Sequence, residues 1–433
     1  MTVDPIVIFY GLPLVAIWGG YLASRHRAEA RSLQVLAEAT EDGLLEPASL
    51  HPVIDQSLCV GCKACISACP EGNILGLIGG KAELVAPSNC IGHGACKTAC
   101  PRGAISLVFG TATRGVDLPA VGPDFATNVP RIYIAGELGG MGLIRNAVEQ
   151  GRQAIDSIAS LPPSRPGFLD VVVVGSGPAG ISASLGAIER QLKFVTLEQD
   201  TLGGTIAHFP RGKLVMTAPT VLPLAGKMPF KEVSKEELLG FLRKVVRETG
   251  LTIREQERVE AVNPVEGGFS VKTTKGAYLT RAVLLAIGRR GTPRRLGVSG
   301  EDLPKVVYRL IDPEQYSGHN VLVVGGGDSA LEAALSLAEE QDTRVTLSYR
   351  GENFGRAKVK NREAIEAAAR QGRVSIYFAS QVRRILQDHV ELYLGERSKV
   401  LANDAVIVCA GGILPTDFLR SIGIRIETKY GTI

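Results

Sequence analysis

Seven of the eight cysteines fall between Cys59 and Cys100. Cys59, Cys62, Cys65 and Cys69 stand at C-x2-C-x2-C-x3-C, followed by Pro70. Thirty-one residues on, Cys90, His93, Cys96, Cys100 and Pro101 repeat the pattern with histidine at its second position. Four soft thiolates converging from a tight loop are what a cuboidal iron–sulfur cluster requires. Zinc is the rival metal, but its motifs usually pair two CxxC units, and here further cysteines follow each first unit. A second chemistry lies in the glycines, which number 50 of 433 residues. Gly175, Gly177 and Gly180 follow the apolar run Val171–Val174 and precede ISASLGAIER. Gly325, Gly327 and Ala330 follow Val321–Val324 in the same way. In a strand–loop–helix context, glycine lets backbone N–H groups approach a pyrophosphate at the helix amino terminus.

The elements flanking these loops tune what each binds. After the first loop, KFVTL ends at Glu198, whose carboxylate can accept hydrogen bonds from ribose hydroxyls. After the second, RVTL ends at Ser348, and equal 23-residue spacings align Ser348 with Glu198. The second loop thus lacks the ribose acid. Arg350, Arg356, Lys358, Lys360 and Arg362 follow instead. Basic side chains there suit a 2′-phosphate, hence NADPH over NADH, the plain alternative being a solvated basic helix start.

On its cysteine pattern, segment 52–110 resembles a two-cluster bacterial ferredoxin. That resemblance implies crossed ligation: Cys59, Cys62, Cys65 and Cys100 at one four-iron cluster, and Cys69, Cys90 and Cys96 at the other. His93 then either supplies the fourth ligand of a four-iron cluster or stands beside a three-iron one. On its two glycine loops and the crossover runs LLAIG (Leu284–Gly288) and Val406–Leu419, the segment 126–433 resembles the thioredoxin reductase-like flavoproteins. This implies FAD on the first fold, contacted also at Gly204, and the nicotinamide nucleotide on the second. Two departures stand out. No CxxC precedes the second glycine loop or lies near Gly203-Gly204, and the one remaining cysteine, Cys409, reads as a buried inert thiol, so a dithiol mechanism lacks its residues. The family's closing element, T-x-V-P-x-I-Y-A-x-G-D, appears before the first loop as Thr127–Glu137, with Gly136 and Glu137 at the flavin-contacting end. The order implies a circular permutation of the FAD domain, with Ser160–Phe168 as the new linker. An unrelated strand–helix unit is the alternative.

Residues Pro5–Ala23 carry no charge and just reach across a hydrocarbon core. Arg25, His26, Arg27 and Arg31 follow, so the stretch reads as a single-pass transmembrane helix with the redox domains on the cytoplasmic side. A cleaved signal peptide or a buried core helix is the rival. The expected fold is α/β: two Rossmann-like dinucleotide-binding domains, a small α+β ferredoxin domain and the membrane helix. Its expected segments are an anchor over 1–24, a juxtamembrane linker over 25–51, the two-cluster domain over 52–110 and the permuted strand–helix over 126–160. The FAD domain follows over 168–292, the NAD(P)H domain over 293–410, and a return segment over 411–433. A net charge of +4 gives no basis for nucleic-acid binding.

Nicotinamide moves electrons in pairs and clusters move them singly, so a flavin must stand between. The expected activity is an NAD(P)H-dependent oxidoreductase joining NADPH, FAD, two clusters and an external one-electron partner, with lipid as a further contact through the anchor. A non-catalytic electron-relay subunit is the alternative. The resemblance leaves a homodimer open.

Overall fold

The computed structural model describes all residues except 1–4, 42–44, 48–49, 91, 114, 141, 210, 290–291, 356, 396, 414 and 432–433; the side chains of 5–8, 11, 12 and 292 also lie outside the description. The chain divides into two compact units, Met1–Val116 with Lys429–Ile433, and Asp117–Thr428.

In the first unit, the strand His51–Ile54 pairs antiparallel with Ile105–Val108, and Leu75–Ile78 forms a hairpin with Lys81–Leu84. Two five-residue helices, Ala64–Ala68 and Ala95–Ala99, follow the two cysteine loops. So small a body has little aliphatic core: Leu75, Leu77, Ala82 and Ile105 pack with the cysteines Cys59, Cys65 and Cys96. Metal ligation is the usual staple for a core this thin.

One helix, Pro5–Glu41, runs through the expected anchor and into the expected juxtamembrane segment. Its later half docks on the cysteine domain, where Glu29 accepts the Gly79 N–H at 2.7 Å and Ser32 faces Gly76. Its earlier half leaves Phe9, Tyr10, Leu14, Val15, Ile17 and Trp18 exposed. The expected anchor over 1–24 lies partly outside the described residues; among those described, no helix is long and apolar enough to cross a membrane. Asp4 and the side chains of Pro5–Ile8 lie outside the described residues.

The second unit is built on two sheets. Val171–Val174 is apolar at every position because the strand Leu169–Val174 lies inside a parallel sheet covered on both faces. It pairs with Phe194–Leu197 on one side and Ala277–Leu285 on the other. The strand Ile132–Ile134 pairs parallel with Val283–Leu285, so the segment before the first glycine loop belongs to this same sheet. Its helix, Ile144–Ala159, crosses the helix Pro178–Glu189 closely at Gly151, where a Cβ would stand 2.1 Å from the Ala179 carbonyl oxygen. The second sheet runs Val306–Val307, Ala405–Val408, Asn320–Val324, Arg344–Ser348, Val374–Tyr377, all parallel. The two crossover segments pair antiparallel at Thr292–Pro293 and Gly412–Ile413. Ion pairs of Lys213 with Glu332, Arg211 with Glu314 (3.3 Å) and Arg309 with Asp200 (3.8 Å) also join the two folds. Partly exposed pairs such as these are each weak, so they bias the folds' mutual position without welding it.

Gly151→Ala drives a methyl into the Ala179 carbonyl. The expected cost is about 1–3 kcal/mol, read by calorimetry as a Tm lowered by roughly 5 °C; an unchanged Tm would contradict the close crossing.

Candidate functional site

The two glycine loops have matching backbones. Gly175 has φ +105° and Gly325 has φ +147°, and a Cβ on either would fall within 2.5 Å of a carbonyl oxygen, that of Ala286 or Cys409. Side chains are excluded there twice over, by conformation and by space. Gly177 and Gly327 cap helices of 12 and 10 residues, Pro178–Glu189 and Asp328–Leu337, so free N–H groups open toward each loop. The third positions serve packing. A Cβ on Gly180 would stand 1.8 Å from the Gly175 carbonyl oxygen, and the Ala330 methyl is fully buried beside Gly325.

Around the first loop the structure gathers residues distant in sequence. Glu198 is buried, and its carboxylate accepts the Ser176 N–H (2.8 Å), the Ser176 hydroxyl (3.0 Å) and the Asp200 N–H (3.0 Å). Three donors hold the carboxylate in place at the end of its strand. Gly204 lies against Gly177, 3.2 Å from that Cα by its hypothetical Cβ. Gly136 reaches Ala179 and donates its N–H to Gln150 at 2.8 Å, and half-buried Glu137 opens the turn Glu137–Gly139. Ser176 and Gln150 were not singled out from the sequence. Only the contacts across the sheet reveal them.

The second loop corrects the sequence alignment. Gly175 N–H donates to the Leu197 carbonyl, and Gly325 N–H to the Ser348 carbonyl. Leu197 and Ser348 are therefore the matching positions, and Tyr349, not Ser348, stands where the first fold has Glu198. The second connection is one residue longer, and counting residues hides this. Ser348 is buried and bonded to the Ser380 hydroxyl at 2.7 Å. The Tyr349 ring lies on Gly326, whose hypothetical Cβ would come 2.4 Å from it, and stacks with Phe354 at 5.9 Å. Where Ser176 clasps a carboxylate, Gly326 carries an aromatic ring. Arg350 is exposed beside it, and Arg356 lies outside the described residues. Cys409 is half-buried at the end of its strand, backing onto Gly325, a correction to the expected buried thiol.

In the first unit, Cys59, Cys62, Cys65 and Cys100 line one small cavity together with Pro101 and Arg102. The Ala82 N–H donates to the Cys59 sulfur (3.4 Å) and the Ala104 N–H to that of Cys100 (3.3 Å). Such donors favour sulfur carrying negative charge. Cys90 neighbours Cys96, Cys69 and Glu71, and burial pushes its thiol up to about 11, the nearby charges adding to this. Burial likewise raises Cys65 and Cys96. Among the described residues, no three His, Cys, Asp or Glu side chains converge tightly enough for a single ion.

Two strand–glycine–helix folds in one chain with a dicluster cysteine domain define an electron-transfer oxidoreductase of the flavin and iron–sulfur type. The chain belongs to the pyridine nucleotide-disulphide oxidoreductase family, whose profile matches residues 172–432, and the 4Fe-4S dicluster domain profile matches residues 51–101. Similar proteins include the bacilliredoxin reductase Bdr of Bacillus subtilis (27% identical, covering 60% of this chain and 82% of that protein). The ferredoxin–NADP reductase of Ignicoccus hospitalis is 29% identical (60% and 83%), and that of Thermus thermophilus 30% (60% and 77%). Among solved structures, the bacillithiol disulfide reductase Bdr (YpdA) from Staphylococcus aureus matches with a TM-score of 0.53 at 26% identity, covering 59% of this chain and 80% of that one.

Glu198→Ala leaves the Ser176 and Asp200 donors without their acceptor. A loss of about 1–3 kcal/mol corresponds to flavin retention weakened roughly 10- to 100-fold, measured as FAD released on gel filtration; full retention would show that Glu198 does not hold the flavin nucleotide.

Proposed function

We propose that this protein is an NADPH-dependent flavin and iron–sulfur oxidoreductase that exchanges electrons with an external one-electron partner. One observation carries the reading: a cavity walled by four cysteines and a pair of dinucleotide loops occur in one chain. A bound flavin, which takes up hydride and releases electrons singly, supplies the conversion between nicotinamide and cluster chemistry. The chain's own residues bind and orient. Glu198, held by Ser176 and Asp200, receives the ribose of FAD, and the amino terminus of Pro178–Glu189 receives its pyrophosphate. Gly136 and Glu137 close the same site from the preceding segment. Gly325 and Gly327 receive the nicotinamide nucleotide. Cys59, Cys62, Cys65 and Cys100 hold one cluster, and Cys69, Cys90 and Cys96 hold the other.

The ferredoxin–NADP reductase relatives favour exchange with single-electron carriers. The Bdr relatives are named for disulfide reduction. That chemistry needs a redox-active pair of sulfurs, and outside the cysteine domain the chain has only Cys409. Adding NADPH without oxygen bleaches the flavin absorbance within seconds, and Cys409→Ser reduces an artificial dye at the parental rate. An unbleached flavin favours a non-catalytic relay subunit, and a large loss in Cys409→Ser returns the disulfide reading.

Nucleotide preference rests on Tyr349. A carboxylate at this place accepts the ribose 2′-OH and repels a 2′-phosphate. The aromatic ring does neither, and leaves the phosphate to Arg350 and its basic neighbours. Tyr349→Glu raises the NADH over NADPH ratio of kcat/KM at least about 10-fold, as a like-charge contact worth about 1.4 kcal/mol would. An unmoved ratio would remove Tyr349 from nucleotide selection.

A further inference from the structure

We propose that His93 binds iron through Nε2 as the fourth protein ligand of the second cluster; the inference rests on the iron–sulfur reading above. At matching described positions the two cysteine loops share their backbone conformation. Gly61 and Gly92 have φ +65° and +78°. Lys63 and Gly94 cap the following helices at φ 65°, ψ 0° and φ 71°, ψ 6°, and Cys69 and Cys100 end them at φ −76°, ψ 116° and φ −77°, ψ 110°. His93 therefore leaves the backbone between the same two left-handed residues as Cys62, which lines the first cavity with Cys59, Cys65 and Cys100.

The imidazole arrives where a ligand is wanted. Nε2 is buried and has no hydrogen-bond partner. The nearest carboxylate oxygen, Glu71 Oε1, is 3.6 Å away, beyond hydrogen-bond reach. A buried nitrogen without a partner costs free energy unless something accepts its lone pair or its proton. Cys90, close to both Cys69 and Cys96, feels the charge of this same Glu71, so imidazole, carboxylate and three thiols share one neighbourhood. Iron accepts imidazole readily, and with Nε2 bound the ring proton resides on Nδ1. The two sites then differ in charge. The first has four thiolates with Arg102 in its wall, and the second has three thiolates, a neutral imidazole and Glu71. Replacing a thiolate by imidazole raises a cluster's potential.

Iron content, EPR and a redox titration of the full chain, purified without oxygen, test this. The unaltered protein holds about eight irons and shows no oxidised three-iron signal. His93→Ala loses about one iron and gains that signal, while His93→Cys keeps about eight and titrates at a lower potential. Glu71→Gln keeps its iron, and the first cluster's signal persists in every variant, which excludes misfolding as the cause. A three-iron signal in the unaltered protein, or iron lost on Glu71→Gln and kept on His93→Ala, overturns the assignment. A chain without any iron overturns the iron–sulfur reading beneath it.

Discussion

Backbone amides can hold a pyrophosphate only if nothing stands between them and it. That constraint organises the larger unit. Gly175 and Gly325 lie so close to the carbonyls of Ala286 and Cys409 that a side chain has neither the space nor the conformation to exist there. Each loop is set by a buried parallel strand before it and a helix after it. The strands need cover on both faces: the helices Ile144–Ala159 and Pro178–Glu189 cover Tyr133, Val171, Val173 and Leu284 on one, and Leu419, Ile422 and Ile424 pack with Val172, Val174, Val283 and Leu285 on the other. The segment before the first loop is thus bound to the flavin-type fold by the same packing that shapes the loop.

Given two equal loops, the chain differentiates them one residue beyond the second strand of each fold. Glu198 is a carboxylate tied by three donors. Tyr349 is an aromatic face laid on a bare glycine. The cysteine domain follows a parallel logic: one backbone used twice, with Cys62 in one copy and His93 in the other. In both pairs the fold is duplicated and a single side chain distinguishes the copies.

The sequence made some of this legible and concealed the rest for identifiable reasons. The glycine loops and cysteine spacings are local, so they could be read directly. That Cys100 lines the same cavity as Cys59, Cys62 and Cys65 is a tertiary fact that spacing alone does not carry. The pairing of Ile132–Ile134 with Val283–Leu285 is equally non-local. Residue counting aligned Ser348 with Glu198 because a connection one residue longer leaves no mark on composition or pattern; only the sheet register reveals Tyr349. The packing of the later half of the helix Pro5–Glu41 on the cysteine domain is tertiary and left no mark on the local pattern.

The central claim is that electrons from the nicotinamide reach the clusters through the flavin. Rapid-freeze EPR after mixing the anaerobic protein with NADPH tests it most directly. The account predicts that flavin bleaching comes first, that reduced-cluster signals then grow within the turnover time, and that Glu198→Ala stripped of FAD shows no cluster reduction. Clusters that stay oxidised while the enzyme turns over, or that are reduced equally fast without flavin, would contradict it.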